Sequence, residues 1–208
     1  ANSNTAVGTN ALFTNTTGTL NVALGNGAMY ANTTGNNNVG IGKNSLDTNT
    51  TGGGNTAIGR DSLTANTTAN DNVAVGYTAL CKNTTGANNV AVGNYSLRAS
   101  TTASNNTAVG MGSLNANTTG ASNVAVGLLA LNVNTTGSGN VSVGRDALRA
   151  NTTAGLNTAV GDCALLSNTT GDINAAFGAY ALRTNTTGSA NTAVGKNSLL
   201  ANTTAGSN

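Results

Sequence analysis

Few side chains in this sequence can do chemistry. Two cysteines (Cys81, Cys163), six aspartates (Asp47, Asp61, Asp71, Asp146, Asp162, Asp172), eight Lys/Arg and four tyrosines are its ionisable side chains, and histidine and glutamate are absent. General bases, metal ligands and activators of nucleophiles are drawn most often from those two residue types. No catalytic, cofactor-binding or metal-binding residue can be named, so the chain reads as a non-enzyme without a cofactor. The aspartates follow no repeated Gly/Asp calcium pattern and read as isolated solvated charges. Stacked at ~4.8 Å per repeat unit, the two cysteines lie five units and about 24 Å apart. A disulfide tolerates a Cα separation of only ~7 Å, so both read as exposed free thiols. The glycines lack the strand–helix context of a phosphate loop.

The composition narrows the class further. Of 208 residues, 7% are charged, 3% aromatic and 38% apolar, mostly Ala and Val, with a net charge of +2. Scattered charges of both signs give no footprint for a polyanion or a membrane surface, so no nucleic-acid partner is expected. No apolar run approaches the ~18 residues of a membrane span, so no membrane insertion by this segment is expected. No signal peptide opens the chain, and an extracellular address would lie outside this segment.

One regularity decides the fold class. Asparagine recurs every seventeen residues, at Asn4, Asn21, Asn38, Asn55, Asn72, Asn89, Asn106, Asn123, Asn140, Asn157, Asn174 and Asn191, which start twelve units without insertion or deletion. Residues 1–208 therefore form a single repeat domain in this reading. Numbered from that Asn, the unit is N-[TV]-A-V-G-x-x-[AS]-L-x-x-N-T-T-[GA]-x-x. Positions 1–4 are short and β-branched and read as a strand. The glycines at position 5 (Gly8, Gly25, Gly42, Gly59, Gly76, Gly93, Gly110, Gly127, Gly144, Gly161, Gly178, Gly195) read as corners needing positive φ or close backbone approach. Asn-Thr-Thr-Gly reads as a second extended piece closed by a turn. A helix is excluded, because two small or Gly positions and several β-branched ones leave no apolar stripe.

The expected fold is all-β: a repetitive parallel β-solenoid, or β-roll, of twelve 17-residue coils stacked at ~4.8 Å, about 58 Å in all. Positions 4 and 9 supply the expected core: Val7, Leu12, Leu24, Met29, Ile41, Leu46, Ile58, Leu63, Val75 and Leu80 head the series. Two large apolar side chains per coil are few, and packing several copies about a common axis would also bury positions 2, 3 and 8. The expectation is self-association, as an intertwined homotrimer or an end-to-end filament. Neither end looks capped, which reads as a slice of a longer protein. The threonines Thr17, Thr34, Thr51, Thr68, Thr85, Thr102 and Thr119 form a ladder that could face a ligand or ice. Eleven Asn-Thr-Thr triplets, Asn15 to Asn202, are glycosylation sequons by pattern, but their recurrence reads as a need of the turn.

The stretches Asn4-Thr5-Ala6-Val7-Gly8, Asn72-Val73-Ala74-Val75-Gly76 and Asn191-Thr192-Ala193-Val194-Gly195 resemble the head repeats of YadA-like trimeric autotransporter adhesins. That resemblance implies a trimeric left-handed β-roll and a role in surface attachment. The halves Ala79 to Gly86 and Ala181 to Gly188 resemble repeat regions of bacteriophage tail fibres. The period departs from the adhesin heads, whose repeats are about fourteen residues. The functional expectation is a structural segment of an extracellular attachment fibre, on a virion or a cell surface, with a host receptor or glycan as partner. An ice-binding solenoid and a self-assembling extracellular filament subunit are the alternatives.

Overall fold

The computed structural model describes residues 3–208. The protein is an all-β parallel β-solenoid with no helix among the described residues, and it divides into two compact units, Ala1–Asn105 and Asn106–Asn208. Each coil contacts its neighbours, so a run of coils has no single centre and one repeat domain resolves into two equal halves. The first unit holds β1 (Thr5–Val7), β2 (Val22–Leu24), β3 (Val39–Ile41), β4 (Thr56–Ile58), β5 (Val73–Val75) and β6 (Val90–Val92). The second holds β7 (Thr107–Val109), β8 (Val124–Val126), β9 (Val141–Val143), β10 (Thr158–Val160), β11 (Ala175–Phe177) and β12 (Thr192–Val194). Within each unit consecutive strands pair in parallel with a register shift of one whole repeat, so Val73 pairs with Val90 and Ala74 with Ala91. Like residues therefore stack on like.

The coil is closed by turns that few glycines advertise. In all twelve coils the position 5 glycine has φ between 113° and 139°. A Cβ on Gly25 would also lie 2.7 Å from the Gly42 carbonyl oxygen of the next coil. Backbone strain thus coincides with a close approach between coils. Position 9 is left-handed as well, with φ of 48–54° from Leu12 to Leu199 although no glycine occupies it. Turns bonded from the residue 9 carbonyl to the residue 12 amide, such as Asn83 N to Leu80 O at 3.2 Å, start at that residue. A leucine in this region is strained by roughly 1–2 kcal/mol. The strain is tolerated because the side chain fills the coil.

The core is narrower than the apolar pattern implies. Position 9 is fully buried from Met29 and Leu46 through Leu182, and half-buried at Leu12 and Leu199 in the terminal coils. Position 3 alanines and position 8 alanines and serines complete it, inside a single chain. Four of these serines (Ser45, Ser62, Ser96 and Ser113) donate to the position 5 carbonyl of their own coil at 2.8–3.0 Å, which explains why Ala and Ser interchange there.

Position 4 is not core. Val7 is 56% exposed, Leu24 45% and Ile58 37%, while Ile41 and Val75 are half-buried on the same outer face. Residues alternate across a strand, and position 3 points inward, so position 4 must point out. The coil is so tight that the one Met at position 9, Met29, faces the one Gly at position 3: a Cβ on Gly40 would lie 2.7 Å from Met29 Cγ.

Two columns of buried asparagine hold the coils together. Position 1 Asn donates from Nδ2 to the position 15 carbonyl of its own coil (Asn38 to Gly52, 2.8 Å), and its Oδ1 accepts the backbone amide of the next coil's Asn (Asn55 N to Asn38 Oδ1, 2.9 Å). Position 12 Asn donates to the same carbonyl and to the preceding coil's position 12 Oδ1 (Asn49 to Gly52 and to Asn32, 2.9 Å each). From Asn21 to Asn191 and from Asn32 to Asn185 these residues are buried to about 0–1% exposure. The one break in the column, Ser100, leaves both its own Oγ and Asn83 Oδ1 buried without a partner. Ser100→Asn restores both bonds and is expected to stabilise the fold by about 1–2 kcal/mol, read as a higher denaturation midpoint.

Candidate functional site

Among the described residues no cavity or cleft opens, and no three His, Cys, Asp or Glu side chains come together. The chemistry on offer is that of the outer surface, which each coil divides among three stretches of backbone.

The strand face consists of positions 2 and 4. Position 2 is Thr or Val except at Ala175, and position 4 is aliphatic except at Phe177. Neither carries a charge in any coil. All fourteen charged residues, eight basic and six acidic, lie at positions 6, 7, 10, 11, 16 and 17. With ~4.8 Å between strands and about 6.6 Å between alternate residues, each unit presents a regular lattice of mostly β-branched side chains to solvent. In β3 and from β5 to β10 these residues are half-buried, while Val22, Leu24, Ile58 and Phe177 are exposed.

The triplet face carries two threonine ranks with different fates. Position 13 hydroxyls donate to the next coil's position 13 carbonyl, as in Thr33 to Thr50 and Thr135 to Thr152, both 3.0 Å. These threonines are structural and half-buried. Position 14 threonines, including Thr17, Thr34, Thr51, Thr68, Thr85, Thr102 and Thr119, are exposed at one per coil. The ladder expected from the sequence therefore does face solvent as a single rank. In the interior coils the Asn of the sequon is buried, and Asn66 shows its amide nitrogen donating to two oxygens, so these coils offer no acceptor nitrogen for a glycan, while Asn15 and Asn202 in the terminal coils are half-buried.

The turn edge, positions 6–11, bears most of the charges and aromatic rings. Its ion pairs are Arg60–Asp61 at 3.0 Å, Arg145–Asp162 at 2.8 Å, Arg145–Asp146 at 3.2 Å and Arg149–Asp146 at 3.4 Å. Exposed pairs such as Arg60–Asp61 contribute ~0–1 kcal/mol each, so they decorate the coil without holding it, whereas Asp146 is buried beneath its two arginines.

The sequence-expected residues thus separate cleanly. The position 5 glycines form the corner at the end of each strand, position 9 forms the core, position 4 joins the outer face, and position 14 threonines stand on another surface. Sequence reasoning missed the partnership of positions 2 and 4. The exclusion of every charge from both positions was the signal that could have found it.

Cys81 and Cys163 are free, but they are not the exposed thiols expected. Cys163 is buried and Cys81 half-buried. Burial pushes both thiols up, the charge of Asp162 adds to this at Cys163, and Arg98 and Lys82 partly offset it at Cys81. A raised folded-state pKa keeps the unreactive thiol form to higher pH. Both residues are expected to resist iodoacetamide at pH 7 in the folded protein and to react only as pH passes the ordinary thiol value of about 8.5. Fast labelling of native protein at neutral pH would contradict this.

No family model, curated protein or solved structure matches this chain.

Proposed function

We propose that this chain is a structural segment of an extracellular attachment fibre, of the phage tail-fibre or bacterial surface-adhesin kind, in which copies associate through their strand faces as a homotrimer. The observation that carries the reading is the uncharged lattice at positions 2 and 4. Solvent-facing β-branched rows that never admit a charge, on a chain that places fourteen charges elsewhere, are what a buried contact requires. The best-matched partner for such a lattice is another with the same ~4.8 Å repeat, packed face to face at about 10 Å as sheets are. In this reading stacked ladders give length and stiffness, the chain catalyses nothing, and receptor contact falls to the variable turn edge.

A second reading has its own observation. The exposed position 14 threonines form one regular rank, the kind of surface that an ice-binding solenoid presents.

Light scattering coupled to size exclusion separates the two. A mass near three times 20.2 kDa is expected. Val75→Lys combined with Val126→Lys, one charge on the strand face of each unit, is expected to return it to one chain's mass. Thr85→Lys combined with Thr136→Lys is expected to leave it unchanged. A monomeric wild-type protein that inhibits ice recrystallisation, and loses this with the threonine changes, would replace the fibre by the ice-binding reading. Very large open-ended species would instead favour the filament subunit.

A further inference from the structure

We propose that the turn edge of the fourth to sixth coils is a binding site for an acidic polysaccharide. The proposal deepens the attachment reading by naming the chemistry of the receptor. Four side chains form a continuous ribbon across the three coils. The Arg60 guanidinium sits 5.7 Å from the Tyr77 ring centroid, Tyr77 meets Tyr95 edge-on with centroids 5.4 Å apart, and the Arg98 guanidinium sits 5.7 Å from the Tyr95 centroid. Both rings remain 38% exposed, as large apolar groups on a surface otherwise built of small side chains.

The charge around this ribbon is one-sided. On the turn edge of these three coils Arg60, Lys82 and Arg98 stand against Asp61, a local balance of +2 from three positive charges and one negative, while the coils' other acid, Asp71, is at position 17, outside the turn edge. Asp61 takes the Arg60 Nε at 3.0 Å and the Asn44 amide at 3.1 Å, which leaves the terminal guanidinium nitrogens of Arg60 unused by that contact. Stacking on tyrosine holds each guanidinium in place before a ligand arrives, so less freedom is lost on binding. A guanidinium presents paired donors that match a carboxylate.

A uronic acid polymer has what this ribbon lacks. Its rings carry apolar C–H faces to lie against tyrosine, hydroxyls for the phenols, and a carboxylate on every residue for arginine. Coils advance by ~4.8 Å, about the length of one pyranose ring, so successive sugars can meet successive coils. A nucleic acid is a poorer match, because a balance of +1 over the three coils, Arg60, Lys82 and Arg98 against Asp61 and Asp71, does not track a phosphate backbone.

Elsewhere among the described residues the same parts do not combine. Phe13 and Tyr30 stack in parallel with no cation over either ring. Tyr180 carries Arg183 but meets no second ring, and Arg145 and Arg149 are held by Asp146 and Asp162.

Calorimetric titration of the full chain with an oligogalacturonate, its neutral galactose counterpart and single-stranded DNA tests the site. The oligogalacturonate is expected to bind at least about tenfold more tightly than the other two. Tyr77→Ala and Tyr95→Ala are each expected to weaken it by about tenfold, and Tyr77→Phe by much less. Arg60→Gln with Arg98→Gln is expected to remove the preference for the acidic sugar, and Tyr180→Ala to change nothing. No binding of oligogalacturonate, binding undiminished in Tyr77→Ala, or tighter binding of DNA would overturn the proposal. None of these outcomes alters the mass by light scattering, so failure of the sugar site and failure of the fibre reading are told apart.

Discussion

A side-chain amide buried in a protein must find partners for two N–H donors and a carbonyl, and a lone buried amide left without them is destabilising by ~1–3 kcal/mol. Stacking at a fixed repeat meets this demand without a special environment for each residue. In the regular coils an Asn Oδ1 finds the next coil's donors and its Nδ2 finds an oxygen of its own coil, while Asn83 Oδ1 beside Ser100 and Asn157 Nδ2 are buried without a partner. The position 15 carbonyl shows how tightly this is drawn, since Gly35 O accepts from both Asn21 Nδ2 at 2.8 Å and Asn32 Nδ2 at 3.1 Å. One oxygen thus ties the start of a coil to its last turn, and the two amides tie that coil to the next. Asp in either column would stack like charges at ~4.8 Å, and Gln would place its amide one methylene too far. The invariance of position 1 follows from these limits.

Other features are consequences of that clamp. Drawing the coil shut leaves room for one large side chain, so leucine at position 9 is faced by alanine or serine at positions 3 and 8. Met29 opposite Gly40 is the same volume redistributed. The tight turns force left-handed backbone at position 9, which the filled core offsets. A single narrow core also leaves the strand's other side turned outward, and what that side carries decides what each unit can meet.

Much of this was legible in the sequence, because a period of seventeen with fixed Asn and Gly columns admits few folds. The parallel β-solenoid and the glycine corners follow from residue types whose physics is local. The core was half legible. Leucine at position 9 was correctly placed, whereas valine at position 4 looked like core because size alone suggested it, and the alternation that puts Ala74 inside puts Val75 outside. Left-handed leucine was not legible at all, since nothing in Leu80 itself announces φ of 51°, which belongs to the turn closed by the Asn83 amide on the Leu80 carbonyl. The turn-edge ribbon was hidden as well. Tyr77 and Tyr95 are eighteen residues apart, and only stacking by seventeen brings Arg60 and Arg98 to their faces.

The strand face, the threonine rank and the turn edge are three surfaces of one repeat, and each can vary only where the asparagine clamp does not reach. Amide hydrogen exchange measures that clamp most directly. The backbone N–H of interior position 1 Asn residues such as Asn55 and Asn140 is bonded to a neighbouring side-chain oxygen rather than to backbone. These amides are predicted to exchange as slowly as those of the adjoining strands. Exchange at the rate of an open loop, with the strand amides still protected, would contradict the account, because the sheet would then be standing without its asparagines.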